Sequence, residues 1–226
     1  MSGPTEARSP HAPSPGTRRG AVRERSCRFG PMRYFAADDC IGAALEHFGE
    51  FSPAEASLLV SLLSPGDIAI DAGAHVGCFT IPMARRVGPQ GRILAFEPQA
   101  AVFELLGANL SLNGLCNVDL RCAALGATAG RAAIRAPDYD RPGNFGDVGL
   151  LPEGRGEPVP VTTIDALGLP ACRLIKADIQ GMERALLLGA RDTLARHRPL
   201  LYLENDRHDG SRALLQLLQD LGYHAY

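Results

Sequence analysis

The chain has 226 residues and a formal net charge of −2 at pH 7, from 23 basic and 25 acidic side chains. This balance argues against a general nucleic-acid-binding protein, which requires a basic face. Hydrophobic residues make up 46% of the chain and charged residues 21%, so a buried core is expected and wholesale disorder is excluded. No apolar run approaches the ~18 residues of a membrane-spanning helix, and the N-terminus lacks the apolar centre of a secretory signal. We therefore expect a cytoplasmic α/β protein with reduced cysteines and no membrane partner.

The first 33 residues differ in composition from the rest of the chain. They contain seven arginines and two acidic residues, and they are rich in proline, serine and glycine. Such a segment buries too little apolar surface to offset the entropy lost on ordering it. We predict a disordered tail over residues 1–33 and a folded domain over residues 34–226.

From residue 52 onward, the apolar periodicity predicts helices and strands in alternation. The first helix begins at a capping box, Ser52 to Glu55, with proline at its first position. The predicted strands are 67–71, 93–96, 118–124, 174–178, 200–204 and 223–226, with short pieces at 132–135 and 159–164. Four later helices are predicted. The first follows the 73–77 loop and ends at residue 87, the second begins after residue 98 and ends at 113, and the last two cover 183–196 and 211–221. Alternation of this kind indicates right-handed crossovers and a doubly wound, mostly parallel sheet.

The end of the first strand carries a glycine-containing loop. In doubly wound sheets, ligands bind beyond the carboxyl ends of the strands, at the point where the strand order reverses. The loop runs from Asp71 to Gly77, and its glycines allow positive φ and close approach of a ligand to the backbone. Glu97 follows twenty residues after Gly77, where it is placed to accept both hydroxyl groups of a ribose. The spacing predicts a nucleotide-type cofactor.

Two cofactors are compatible with this frame. A dinucleotide fingerprint counted from Gly73 requires glycine at positions 75 and 78, where the chain has His75 and Cys78. Asp71 at the loop entrance would repel a pyrophosphate. S-Adenosylmethionine has no phosphate, and its ammonium and sulfonium groups are compatible with acidic neighbours. The loop therefore favours S-adenosylmethionine over NAD.

Two longer runs resemble the FkbM-type methyltransferases. They are DIAIDAGAHVGCFTIPMARRVGPQGRILAFEPQ at 67–99 and RLIKADIQGMERALLLGARDTLARHRPLLYLEN at 173–205, and residues 41–55 and 144–146 are similar to that family as well. The resemblance extends from about residue 34 to the end. It implies a class I, Rossmann-like fold and S-adenosylmethionine-dependent methylation, in characterised relatives of a hydroxyl oxygen.

The chain departs from the usual pattern of that family in three ways. His75 stands where the family usually has asparagine, and Gln180 stands where it usually has glutamate. Class I methyltransferases usually also have a seventh, antiparallel strand, whereas this sequence stops right after its sixth predicted strand. Either the irregular region 126–172 supplies an edge element or the sheet is incomplete there.

The site residues follow from the strand ends. The predicted cofactor contacts are Asp71, Gly73, Ala74, His75, Gly77, Glu97, Pro98 and Ala124. The predicted substrate contacts are Asn144, Glu204 and Asn205. Asp178 and Lys176 are the predicted catalytic residues, because they lie two apart on a central strand and share a face.

The charge of Lys176 needs a partner, because a lysine buried in a parallel sheet is costly unless it is paired. The candidates are Asp178, Glu183 and Glu204, and a purely structural ion pair is the alternative to a catalytic role. No metal is predicted. The alternative is Mg²⁺ held beyond the strand ends by Asp178, Glu204 and Asn205, which an ammonium next to Asp178 makes unnecessary.

The predicted activity is transfer of a methyl group from S-adenosylmethionine to a hydroxyl of a small metabolite or glycan. Two other functions remain open at this point. The first is a non-catalytic module that binds S-adenosylmethionine, and the second, less favoured, is an NAD-dependent oxidoreductase.

Overall fold

The computed structural model describes residues 20–205 and 208–225, without the side chains of residues 208 and 209. In chain order the elements are β1 (Val22–Cys27), β2 (Gly30–Phe35), α1 (Ile41–Phe48), α2 (Pro53–Ser61), β3 (Ile68–Ala72), α3 (Thr80–Val87), β4 (Arg92–Phe96), α4 (Ala100–Leu112), β5 (Val118–Arg121), β6 (Ala124–Leu125), β7 (Gly130–Ile134), β8 (Leu150–Leu151), β9 (Glu157–Thr162), a 3₁₀ turn (Asp165–Leu167), β10 (Leu174–Ala177), α5 (Glu183–Leu188), α6 (Arg191–His197), β11 (Leu200–Leu203) and α7 (His208–Asp220). In this part of the chain, no helix has the length and apolar composition needed to cross a membrane.

A five-stranded parallel sheet in the order β11-β10-β3-β4-β5 forms the centre of the fold. The three inner strands β10, β3 and β4 are mostly aliphatic and buried because helices cover both faces. Ile70, Leu94 and Ile175 face the helices α5 to α7, whereas Ala69 and Ile93 face α2 and α3. The strand order reverses between β3 and β10, so the carboxyl ends of these two strands form the crevice where ligands bind in such folds. The predicted α/β, doubly wound fold is confirmed.

The region between residues 118 and 172 differs from the prediction. The third predicted strand, 118–124, is divided between β5 in the main sheet and β6, which pairs with β9 in a separate four-stranded sheet of order β6-β9-β7-β8. The short pieces expected at 132–135 and 159–164 are strands β7 and β9 of this second sheet. The irregular region therefore does not extend the edge of the main sheet.

The C-terminal elements also differ in two details. The single helix predicted over 183–196 is two helices, because Gly189 passes against the backbone of Gly126 and the carboxylate of Asp165 caps the first turn of α6. A Cβ on Gly189 would lie 2.1 Å from the Gly126 carbonyl oxygen. The strand predicted at 223–226 is not formed over its described residues, since Tyr223 packs under the Arg198 guanidinium and its N–H bonds to the end of α7.

The capping box predicted at Ser52 is wrong. Ser52 has the left-handed backbone conformation, with φ of 41°, and its side chain makes no capping hydrogen bond. Glu55 instead interacts with Tyr202 of β11, a contact that raises the pKa of the tyrosine further after burial has raised it. The helix thus begins where it was expected, but its first turn is held by a tertiary contact.

The boundary predicted at residue 33 is also corrected. Residues 1–19 lie outside the described residues, but β1 and β2 form an antiparallel hairpin that starts inside the segment predicted to be disordered. Met32 and Tyr34 are buried against α1 and α4. The composition of this segment predicts disorder, but a short hairpin with one apolar face gains its stability from packing on the rest of the domain.

Asn109 of α4 ties the hairpin to the glycine-containing loop. This side chain is fully buried; its oxygen accepts the Arg33 N–H at 2.6 Å, and its nitrogen donates to the carbonyl oxygens of Arg33 and Val76 at 2.9 and 2.8 Å. One amide therefore satisfies three backbone groups on two segments that are far apart in the chain.

Replacement of this amide is expected to weaken the whole fold. Asn109→Ala leaves one buried and two partly buried backbone groups without partners and should lower the free energy of unfolding by about 3 kcal/mol. Urea denaturation followed by circular dichroism measures the change. Ser111→Ala removes an exposed hydroxyl from the same helix and serves as the matched control, with an expected change below about 0.5 kcal/mol. Equal stabilities of the two variants would show that Asn109 does not hold the hairpin.

Candidate functional site

A cavity opens beyond the carboxyl ends of β3, β4 and β10, at the point where the strand order reverses. Ten of the predicted contacts and catalytic residues lie in its wall: Gly73, Ala74, His75, Glu97, Pro98, Ala124, Asn144, Lys176, Asp178 and Glu204. Three others lie elsewhere and are corrected below: Asp71, Gly77 and Asn205. Sequence reasoning missed several lining residues of the irregular regions, among them Cys40, Phe51, Val148, Leu150 and Met182.

The glycines of the loop are required for packing inside the protein. Gly73 has φ of 76°, and a Cβ on it would lie 2.0 Å from the carbonyl oxygen of Asp178. Gly77 has φ of 99° and does not line the cavity, because a Cβ there would meet Leu106 of α4 at 2.9 Å. The prediction that Gly77 contacts the cofactor is therefore wrong, and its glycine is explained by the close approach of α4.

The backbone of the loop is bound to the end of β4. The N–H groups of Gly73 and Ala74 both donate to the Phe96 carbonyl oxygen at 3.0 Å. The next N–H, of His75, donates to Oε2 of Glu97 at 3.0 Å, and the Gly77 N–H donates to Ala74. These four donors are engaged within the protein, so the loop does not offer them to a pyrophosphate.

Glu97 is the buried carboxylate of the cavity. Its two oxygens accept the N–H groups of Gln99 at 2.9 Å and His75 at 3.0 Å. Burial raises the Glu97 pKa to about 7, although these two hydrogen bonds favour the ionised form. A ligand that donates hydroxyl hydrogens to the carboxylate would favour ionisation further.

Gln99 is a positioning residue that the sequence analysis missed. Its side-chain nitrogen donates to the Phe145 carbonyl oxygen at 2.8 Å, and its oxygen accepts the Tyr139 hydroxyl at 3.1 Å. Its backbone N–H binds Glu97, so one residue connects the 139–146 segment to the carboxylate. That segment brings Asn144 to the cavity wall. Gln99 ends the first of the two family-like runs, which was the only signal available.

Lys176 pairs with Asp71, and the predicted partners Asp178, Glu183 and Glu204 are wrong. Its Nζ lies 3.1 Å from Oδ1 of Asp71 without the alignment of a hydrogen bond, and it donates to the carbonyl oxygens of Ala72 at 3.3 Å and Gly73 at 2.8 Å. The lysine side chain is 1% exposed and the aspartate 0%.

The partner of Lys176 decides the roles of both members of the pair. Burial alone would lower the lysine pKa, but the carboxylates of Asp71, Asp178 and Glu97 raise it, so the ammonium stays charged. Thr80 also donates to Asp71, at 2.6 Å, which leaves that carboxylate buried below the loop. Lys176 lines the cavity, but its ammonium is engaged with Asp71 and two carbonyl oxygens, which fits the structural ion pair given as the alternative to a catalytic role. Asp71 does not line the cavity, so its predicted cofactor contact is wrong.

The ends of β10 and β11 bring Asp178 and Glu204 together, as predicted. The side-chain nitrogen of Gln180 donates to Asp178 Oδ1 at 3.2 Å and to Glu204 Oε2 at 3.3 Å. Asn205 instead donates to Ser211 of α7 at 2.9 Å and does not line the cavity, so its predicted substrate contact is wrong. Within residues 20–205 and 208–225, no three His, Cys, Asp or Glu side chains are placed to hold a metal ion.

Comparison with known proteins identifies the family. Residues 71–225 match the family model described as the methyltransferase FkbM domain. The chain belongs to the FkbM methyltransferase family. The solved structure of methyltransferase FkbM from Methylobacillus flagellatus KT aligns with 70% of this chain and 37% of that chain, at a TM-score of 0.51 and 21% identity, which shows the shared fold.

Two curated relatives are also similar to this chain. Methyltransferase 1 of Beauveria bassiana is 30% identical over 145 residues, covering 54% of this chain and 58% of the relative. Methyltransferase sdnD of Sordaria araneosa is 38% identical over 72 residues, covering 31% of this chain and 27% of the relative. The matched region is thus less than two thirds of the length of either relative.

The cofactor of the family is S-adenosylmethionine, and the cavity fits it. Glu97 presents a carboxylate held by two N–H groups, and the carboxylates of Asp178 and Glu204 lie in the same wall, where an ammonium or sulfonium group is compatible with them. The loop N–H groups that a dinucleotide phosphate would need are engaged with Phe96, Glu97 and Ala74. The donor set of the cavity thus matches a cationic nucleoside without phosphates.

Breaking the buried ion pair should destabilise the FkbM domain strongly. Lys176→Met leaves Asp71 buried without a cation and should lower the free energy of unfolding by about 3–5 kcal/mol in urea denaturation. Removing the remaining charge in the double variant Lys176→Met/Asp71→Asn should restore part of this loss. If the double variant is as unstable as the single one, the loss does not come from an uncompensated charge.

The raised pKa of Glu97 predicts a pH dependence of stability. A glutamate ionises near pH 4.3 in the unfolded chain, so between about pH 4.5 and 7 the folded protein holds the extra proton and loses stability as the pH rises. From pH 4.5 to 8, the free energy of unfolding of the wild type should fall relative to Glu97→Gln by up to about 3 kcal/mol.

Comparison of slopes isolates this effect. Glu97→Gln lacks one carboxylate acceptor at every pH, so a constant difference in the free energy of unfolding between the two proteins carries no information about the Glu97 pKa. His75, whose pKa is lowered by burial, acts with the opposite sign and is present in both proteins. Parallel curves for the two proteins would mean that Glu97 is ionised throughout.

Proposed function

We propose that the protein is an S-adenosylmethionine-dependent methyltransferase that methylates a hydroxyl oxygen of a small metabolite or glycan. The observation that carries the proposal is the arrangement of carboxylates in one cavity. Glu97 lies at the end of β4, and Asp178 and Glu204 follow the ends of β10 and β11. The family membership supports the same reaction class.

Glu97 would bind the ribose. Its carboxylate is fixed by backbone donors on both oxygens, and each oxygen keeps acceptor capacity for a ribose hydroxyl. Because the pKa of Glu97 is about 7, hydroxyl donors that favour the ionised form should bind more tightly as the pH rises through neutrality.

Asp178 would orient the acceptor hydroxyl and take its proton. S-Adenosylmethionine supplies a methyl group already activated on a sulfonium, so alignment and removal of one proton remain for the protein to provide. The Gln180 amide fixes one oxygen of Asp178 and one of Glu204, which holds the two carboxylates at a defined separation. An amide at position 180 thus performs a positioning role without adding a third negative charge.

Calorimetric titration tests cofactor binding first. The wild type should bind S-adenosylmethionine and not NAD, and Glu97→Ala should lose about tenfold or more in affinity, since bonds to a charged group contribute about 1.5–3 kcal/mol. Glu153→Ala, which removes an exposed carboxylate outside the cavity, is the matched control. Affinity within about threefold of wild type in a folded Glu97→Ala protein would contradict the ribose assignment.

Release of S-adenosylhomocysteine over a panel of hydroxylated metabolites and glycans tests the reaction. An acceptor that supports turnover should lose it in Asp178→Asn while cofactor affinity is retained. Binding of S-adenosylmethionine without turnover on any acceptor would favour the non-catalytic module instead. Undiminished turnover in Asp178→Asn would remove the proton-acceptor role from Asp178.

A further inference from the structure

His75 places a buried imidazole ring in the wall of the cavity. The residue is 7% exposed, and neither Nδ1 nor Nε2 has a hydrogen-bond partner among residues 20–205 and 208–225. Buried polar atoms are nearly always bonded, so two unbonded nitrogens in a cavity wall indicate a bond that a ligand completes.

Most of the backbone polar groups around this ring already have partners. The N–H groups of residues 73–75 and 77 are engaged, as described above, and the carbonyl oxygens of residues 72–74 accept bonds from Lys176 or from Gly77. The ring of His75 is the side chain of this loop that faces the cavity with its bonds unmade.

The backbone at His75 is strained. Its φ is 47°, in the left-handed region that non-glycine residues seldom adopt. Strain of this kind persists where the surrounding structure enforces it, and it is frequent at ligand sites. Ser52, Gln180 and Arg198 share this backbone conformation, so the unbonded ring is the observation that indicates a role in binding.

The charges around the ring determine which nitrogen is the acceptor. Oδ2 of Asp38 lies 4.0 Å from Nε2, and the N–H groups of Cys40 and Gly42 hold this aspartate in place. Burial lowers the pKa of His75 to about 4, with a smaller contribution from the Lys176 charge, although the charges of Asp38 and Asp178 act in the opposite direction. The ring is therefore neutral at pH 7. The carboxylate favours the tautomer with hydrogen on Nε2, which leaves the lone pair on Nδ1.

We propose that Nδ1 of His75 accepts a hydrogen bond from the α-ammonium group of bound S-adenosylmethionine. This inference rests on the proposed function, because it assigns one polar group of that cofactor. The negative charges of Asp38 and Asp178 act on the ring and favour a cationic donor over a neutral hydroxyl. Asparagine at the same position would offer an amide oxygen as acceptor and tolerates positive φ, which makes it the conservative replacement.

A pair of ligands isolates the ammonium group. S-Adenosylhomocysteine and its desamino analogue differ only in that group, and both are titrated calorimetrically into wild type, His75→Ala and His75→Asn. The wild type should bind the first about tenfold or more tightly than the second, as expected for a bond to a charged group. His75→Ala should reduce this ratio about fivefold or more without affecting the desamino analogue, and His75→Asn should keep the ratio within about threefold.

Each other outcome overturns the inference in a recognisable way. Equal losses for both ligands in His75→Ala would mean that the ring only supports the shape of the cavity. Unchanged affinity of His75→Ala for S-adenosylhomocysteine would exclude His75 from the ammonium site. The same result is expected if the ring binds the acceptor hydroxyl instead. A wild type that binds neither ligand would overturn the proposed function together with this inference.

A measurement on the wild type keeps the test independent of variant folding. In ¹⁵N-histidine-labelled protein, the Nδ1 resonance of His75 should show the Nε2–H tautomer and shift on addition of S-adenosylhomocysteine but not of the desamino analogue. A hydrogen on Nδ1 in the S-adenosylhomocysteine complex would contradict the proposed acceptor role.

Discussion

The buried ion pair between Lys176 and Asp71 is the constraint on which the site depends. It joins β10 to β3 at the point where the strand order reverses, and its ammonium also binds the carbonyl oxygens of Ala72, the last residue of β3, and of Gly73. A lone buried charge is costly, so neither residue is replaceable without the other. The pair thus fixes the end of β3, from which the glycine-containing loop begins, and its lysine also lines the cavity.

The loop is rigid because its polar groups bind neighbouring strands rather than solvent. Its N–H groups bind β4 and Glu97, and Asn109 connects it to the N-terminal hairpin. Rigidity of this kind holds the Glu97 carboxylate in place before a ligand arrives, which reduces the ordering that binding must accomplish. The hairpin is therefore part of the support of the site, although it lies outside the region that matches the family.

The two departures from the usual family pattern have different physical consequences. Gln180 bridges two carboxylates. Its amide provides a hydrogen-bond donor where a glutamate would add a negative charge, and it keeps Asp178 and Glu204 close together. His75 keeps hydrogen-bonding capacity in the cavity wall but has a strained backbone and an unbonded ring. The hydrogen bonds of Gln180 are made within the protein, whereas those of the His75 ring are left for the cofactor in our proposal.

The sequence by itself determined the alternation of helices and strands, the parallel sheet, the glycine-containing loop and the placement of Glu97, because these follow from local periodicity and spacing. It also placed Asp178 and Glu204 together, since neighbouring parallel strands end at one edge. Only the tertiary structure decided that Lys176 pairs with Asp71, that Asn205 turns to α7 and that residues 22–35 form a hairpin. Those outcomes depend on which buried groups meet across segments distant in the chain, and the stability of each arises from packing and desolvation that no local pattern records.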